Sequence, residues 1–182
     1  MIISKQDLRN YIKEDRTRQG IKHPILARLT YGPNYQIRSY LTNLRKLEYY
    51  TNCGKGIWDK IMYSYYLLRH RRMSQKYGIY ISPNSVGKGF VMPHPGFIRI
   101  GSLCHIGKNC TVLPMVLMGK KKPGIKGTIK IGDNCYISTG VSIIGPITIG
   151  DNVTIGAGAV VVSDIPSNCI VAGVPARIVK RL

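Results

Sequence analysis

Along the C-terminal half of the chain an aliphatic residue returns every six positions: Ile131, Ile137, Ile143, Ile149, Ile155 and Val161. Four positions after each stands Cys135, Val141, Ile147, Val153, Ala159 or Ile165, small or aliphatic every time. A fixed short period of this kind marks a parallel β-helix. Three hexads close one triangular coil, the first residue of each points inward, and coils stack through main-chain hydrogen bonds.

Upstream the pattern changes. Leu41, Leu44, Leu47 and Tyr50 keep the spacing of a helix face. Cys53-Gly54-Lys55-Gly56 breaks it, and Ile57, Ile61, Met62, Tyr65 and Leu68 form a second apolar stripe ending at Gly78. Lys13-Glu14-Asp15-Arg16 is polar and expected to be exposed. The expected organisation is a basic α-helical region over 1–78, a mainly β helix over 79–170 and a capping tail over 171–182.

The hexads fail twice. Val86 to Ile100 spans fourteen residues, two more than two hexads, around Pro93-His94-Pro95-Gly96. Met118 to Ile131 spans thirteen and holds Gly119-Lys120-Lys121-Lys122-Pro123-Gly124. Interruptions of a solenoid map to loops, where function concentrates.

Charge narrows the partners. The 182 residues carry 27 Lys+Arg against 8 Asp+Glu, a net charge of +19, and residues 1–78 alone carry +11. An anionic partner follows: a phosphorylated cofactor, an acidic substrate or an acidic membrane surface. Nucleic acid is not expected, since no binding motif accompanies the charge. The five cysteines form no Cys-x-x-Cys pair, and Cys104, Cys110 and Cys135 read as small packing residues. No apolar run approaches the roughly 18 residues of a membrane span. Met1 to Arg18 has no apolar h-region, so a cytoplasmic chain is expected, with peripheral contact to an anionic membrane left open.

The hexads, the His-centred break and the ending Ala172-Gly173-Val174-Pro175-Ala176-Arg177 resemble hexapeptide-repeat acyltransferases with a left-handed β-helix. The likeness is to their serine acetyltransferase branch, particularly members found with surface-polysaccharide genes. It covers about residues 77–182. It implies a homotrimer with active sites between neighbouring β-helices, and a higher oligomer through the N-terminal helices stays open. It implies acetyl-CoA as co-substrate and no metal. A histidine, His94 by alignment, acts as general base on an acceptor hydroxyl, chemistry suited to an imidazole.

The same resemblance assigns CoA contacts to Gly119, Ser138, Thr139, Gly140, Ala157, Gly158, Arg177 and Lys180. Tyr80, Asn84, Lys120 and Lys121 are expected to meet the acceptor. Gly119 and Gly140 are candidates to present a backbone N–H to the oxyanion. His105 sits at an outward hexad position. His23 and His70 lie in the helical region without supporting context.

Three departures set the acceptor expectation. Where serine acetyltransferases have an Asp before the first coil's proline, this chain has Tyr80; Pro93 replaces the Asp before the catalytic His; Gly127-Thr128 replaces an Arg-His pair. Those residues grip an amino acid and orient the base. The expected reaction is therefore O-acetylation of a sugar hydroxyl in surface-polysaccharide synthesis, with serine acetylation as the alternative. Two further classes fit the sequence less well: a zinc-dependent γ-type carbonic anhydrase, which needs three His ligands where the repeat has only His94 and His105, and a non-enzymatic basic scaffold.

Overall fold

The structure is a computed structural model and describes residues 1–20, 32–122 and 124–182. His23 lies outside the described residues. Among those described, three helices precede thirteen short strands: α1 (Lys5–Gln19), α2 (Pro33–Cys53), α3 (Ile57–Tyr77), and β1 to β13 from Ile79 to Arg181. Local sequence sets the helix ends. The Ser4 hydroxyl accepts from the Asp7 N–H to cap α1, Pro33 opens α2, and Asp59 accepts from the N–H of Gly56 at the start of α3. Gly20 and Gly78 close α1 and α3 in the left-handed conformation.

The strands stack into a left-handed parallel β-helix of five coils with three faces. The first face holds β1 (Ile79–Ile81), β2 (Ile98–Ile100), β5 (Val116–Lys120), β8 (Ser142–Gly145) and β11 (Val160–Val161). The second holds β3 (Cys104–Ile106), β6 (Ile129–Ile131) and β9 (Ile147–Ile149), extended by bridges from Val86 and Ile165. The third holds β4 (Thr111–Val112), β7 (Tyr136–Ile137), β10 (Val153–Ile155) and β12 (Cys169–Ala172). Most three-residue strands alternate buried, exposed, buried, so the hexad residues point inward. They form aliphatic columns, for example Ile81, Ile100, Met118, Ile143 and Val161. Each such residue contributes about 1.5–3 kcal/mol by leaving water. Cys104, Cys110 and Cys135 are buried in the same core.

Pairing register measures the interruptions. Ser142 pairs with Val160, eighteen residues on, the length of a regular coil. Ile79 pairs with Ile98, nineteen on. The His94 loop therefore adds a net single residue, because the Ile81–Val86 step is one short. Leu117 pairs with Ser142, twenty-five on, so the lysine loop carries seven extra residues. At the far end β13 (Arg177–Arg181) pairs antiparallel with β12 and covers that sheet edge.

The helices share the β-helix core through Ile37, Tyr40, Leu41 and Leu44. A buried ion network locks them to the first coil. Arg45, fully buried, pairs with Asp15 (2.8 Å) and Glu48 (3.0 Å) and donates to the carbonyls of Val86 (2.9 Å) and Gly87 (2.6 Å). Asp15 accepts from Phe90 N–H, and Glu48 from Asn84 N–H. Burial pulls the Arg45 pKa down, but Glu48 and Asp15 outweigh it and hold it above its usual value.

Two expectations are corrected here. Asp15 is buried, not exposed, because it is the counter-ion of Arg45. The stripe Ile57, Ile61, Tyr65 and Leu68 is exposed. The face of α3 that packs inward is the mixed set Tyr66, His70, Met73 and Ser74, which meets polar groups of α2 and β1.

Candidate active site

The first face has two long edges, and the expected site residues divide between them. The corner between the third and first faces, here the histidine edge, carries one turn per coil. From bottom to top these are His94-Pro95-Gly96, Pro114-Met115, Thr139-Gly140, Ala157-Gly158 and Gly173 to Ala176. Each turn is bonded to the next. Met115 N–H donates to Phe97 O (2.6 Å), Gly140 N–H to Pro114 O (3.3 Å), Gly158 N–H to Thr139 O (2.9 Å), and Val160 N–H to Gly173 O (3.1 Å). At about 4.8 Å per coil, the four steps from the His94 turn to the tail span roughly 19 Å.

Of the expected residues, His94, Ser138, Thr139, Gly140, Ala157 and Gly158 lie on this edge. Arg177 opens β13 beside it, and Lys180 stands farther along, opposite Ile170. His94 is exposed between two half-buried prolines. Its loop is braced from below: Gln19 donates to Met92 O (2.6 Å) and Arg18 to Gly89 O (2.8 Å), so the end of α1 holds the chain that leads into it. Tyr80 points outward from β1, its ring 6.4 Å from that of Phe97, three residues after His94. Among the described residues no hydrogen bond engages the His94 ring.

The edge is lined by backbone in the left-handed region. Gly140 (φ 73°), Gly158 (φ 68°) and Met115 (φ 66°) repeat it on successive coils. Glycine adopts this without strain, whereas methionine does not. Met115 is exposed and is the one positive-φ residue among those described that is neither Gly nor Asn. Backbone strain of this kind is a recurrent feature of functional sites. The sequence reading missed Met115; its signal is the absence of Gly at a corner where Gly140 and Gly158 have one.

The opposite corner, the lysine edge, holds Gly119, Lys120 and Lys121. A small recess of about 40 Å³ opens there between Gly101, Gly119, Lys120, Thr128 and Pro146. Phe97 to Gly101 crosses the first face, about 13 Å at 3.3 Å per residue. One chain therefore does not bring His94 and the lysine loop together, nor Gly119 and the other expected CoA contacts. Asn84 also lies at the lysine edge, its amide exchanged with that of Asn52 in two bonds of 2.9 Å. Of the two expected N–H donors, Gly140 already donates to Pro114 O, and Gly119 stands in the ladder opposite Ile144. His105 points out between buried Cys104 and Ile106.

Residues 128–163 match the bacterial transferase hexapeptide family (six repeats). The chain is 39% identical to serine acetyltransferase 5 of Arabidopsis thaliana over 126 residues, 68% of this chain and 40% of that one. It is 38% identical to the serine acetyltransferase of Bacillus subtilis (strain 168) over 108 residues, 57% of this chain and 49% of that one. The chain thus spans about half the length of the curated relatives it matches. Among solved structures, soybean serine acetyltransferase superposes with a TM-score of 0.73 at 27% identity, covering 96% of this chain and 70% of that one. The Neisseria gonorrhoeae serine acetyltransferase in complex with serine superposes with a TM-score of 0.70 at 28% identity, covering 97% and 71%.

These findings overturn the expected sugar acceptor. The relatives and the structural neighbours are serine acetyltransferases, and the gonococcal and soybean enzymes were solved with serine. The absence of the amino-acid grips at Tyr80, Pro93 and Gly127-Thr128 does not exclude serine, because other side chains can supply the same charges. Nothing in these findings supports surface-polysaccharide synthesis or membrane contact. Among the described residues no helix is long and apolar enough to cross a membrane.

Proposed function

We propose that this chain is an acetyl-CoA-dependent O-acetyltransferase acting on the hydroxyl of serine. The observation that carries the reading is the histidine edge. A single exposed imidazole stands at one end of a row of left-handed turns that runs roughly 19 Å to a basic tail. Acetyl-CoA is a long thioester with an anionic far end. Its arm lies along Met115, Ser138 to Gly140 and Ala157-Gly158, and its phosphates meet Arg177 and Lys180. The thioester then reaches the level of His94.

The chemistry follows. His94 accepts the proton of the serine hydroxyl as its oxygen attacks the thioester carbonyl carbon. The tetrahedral oxyanion collapses, the carbon–sulfur bond breaks, and the thiolate takes the proton back from the imidazolium. The products are O-acetylserine and CoA. Chains assemble as trimers, so that the histidine edge of one meets the lysine edge of the next and closes a site that one chain leaves open. Within each chain, residues 1–78 serve as a helical base, 79–170 as the catalytic β-helix and 171–182 as its cap.

The test is CoA release from acetyl-CoA by the purified chain, followed with a thiol reagent. Saturable release with L-serine, and none above background with free or nucleotide-linked sugars, is expected. No release with serine overturns the reading.

A further inference from the structure

A large recess lies where the second half of α3 packs against the first two coils, at the lysine edge. It measures about 370 Å³, in the range of small-molecule sites, and α3 contributes Arg71 and β2 contributes Arg99 to its walls. Ser74, Gln75 and Ser82 add polar groups, and Tyr80 adds an aromatic wall. Among the described residues no carboxylate lines it. Among the described residues neither an ion pair nor a hydrogen bond engages Arg71 or Arg99. Beside it, Tyr40 accepts from the Ile81 N–H (3.0 Å), and His70 Nε2 donates to Ile81 O (3.0 Å).

Two guanidinium groups with no partner among the described residues, around one largely apolar hollow, make a site of specific chemistry. Guanidinium is a planar fork matched to carboxylate, and its charge does not switch off near neutral pH. Gly101 forms part of the floor. A Cβ there would meet nothing in this chain within 4 Å, and its backbone does not need glycine. Its openness leaves room for something entering from outside.

We infer that this recess binds the carboxylate of a small organic acid through Arg71 and Arg99. Under the serine reading, on which this assignment of the source rests, the acid is the acceptor amino acid. The two arginines then supply the charge for which Gly127 and Thr128 have none. The alternative source is a separate carboxylate ligand that is not turned over.

The test is calorimetric titration of the full chain with L-serine, with glycerate, which keeps the carboxylate and hydroxyl but lacks the ammonium, and with ethanolamine, which lacks the carboxylate. L-serine or glycerate binds the wild type. The double variant Arg71→Gln/Arg99→Gln weakens that binding at least tenfold, leaves any ethanolamine binding unchanged, and keeps the wild-type circular dichroism and melting temperature. Arg71→Lys/Arg99→Lys recovers part of the loss. If the wild type binds neither carboxylate, or the double glutamine variant binds them as the wild type does, the inference is wrong.

Turnover separates the sources and the two claims. A raised KM for L-serine in the double variant with kcat nearly kept assigns the recess to the acceptor. Carboxylate binding lost in the variant, with no serine turnover by the wild type, upholds the recess and removes the serine reading. Serine turnover with unchanged KM in the variant, and unchanged carboxylate binding, keeps the serine reading and removes the recess.

Discussion

The first coil and the last three are built on different physics. From Ile129 to Val161 the chain repeats at eighteen residues per coil, and its interior is a set of aliphatic columns. The first coil is short at one corner and long at another, and helices replace the neighbour it lacks below. Beside the apolar contact of Ile37, Tyr40, Leu41 and Leu44, what fastens it is polar: Arg45, Asp15, Glu48, Gln19 and Arg18 bond its carbonyls and N–H groups. An aliphatic column is non-directional and tolerates small change. A buried ion network is directional and fails when one partner goes. His94 and the arginine recess both belong to the polar end, where loop shape is set by specific bonds rather than by the repeat.

That contrast can be broken at several points. Arg45→Ala leaves Asp15 and Glu48 buried without a counter-ion, and a loss of about 3–5 kcal/mol in denaturant unfolding is expected. Hydrogen exchange should show protection lost around Val86 to Met92 and kept in β7 to β12. Equal loss throughout would mean that the two ends do not differ as described. In the column, Ile143→Val removes one buried methylene and should lower stability by about 1 kcal/mol, with serine turnover kept.

The smallest effect is a pH dependence confined to the polar end. Burial lowers the His70 pKa, while its bond to Ile81 raises it less. The unfolded chain therefore takes up a proton near pH 6.5 that the folded chain refuses until lower pH. The stability that depends on neutral His70 is fully present above about pH 6.5 and is lost as the pH falls below it. Thermal melts at pH 7.5 and 5.5 should show a larger drop for wild type than for His70→Gln. Equal drops would remove His70 from the acid sensitivity.

How far the sequence could be read follows the same division. The inward positions of the coils were legible because a six-residue period needs only local spacing. The corners with loops were legible because a fixed period makes each extra residue countable. The docking of α1 and α2 was not, since Asp15, Arg45 and Gly87 are brought together across seventy residues by no periodicity. The α3 stripe misled for a related reason: its inward face must match the polar groups of α2 and β1, so His70 and Ser74 are buried while Ile57 and Leu68 are not. Arg99 sat at an ordinary outward hexad position, and only the approach of α3 turns it into one side of a recess. At the candidate site, the reading proposed His94 from its position in the break and from the family resemblance, and it passed over Met115, whose positive φ no spacing reveals.

The most direct measurement pairs activity with integrity in one variant. His94→Ala should lower kcat for CoA release from acetyl-CoA and L-serine by about 10²–10⁴-fold, with the melting temperature and acetyl-CoA binding of the wild type retained. Turnover within a few-fold of wild type would contradict the placement of the chemistry at the broken coil.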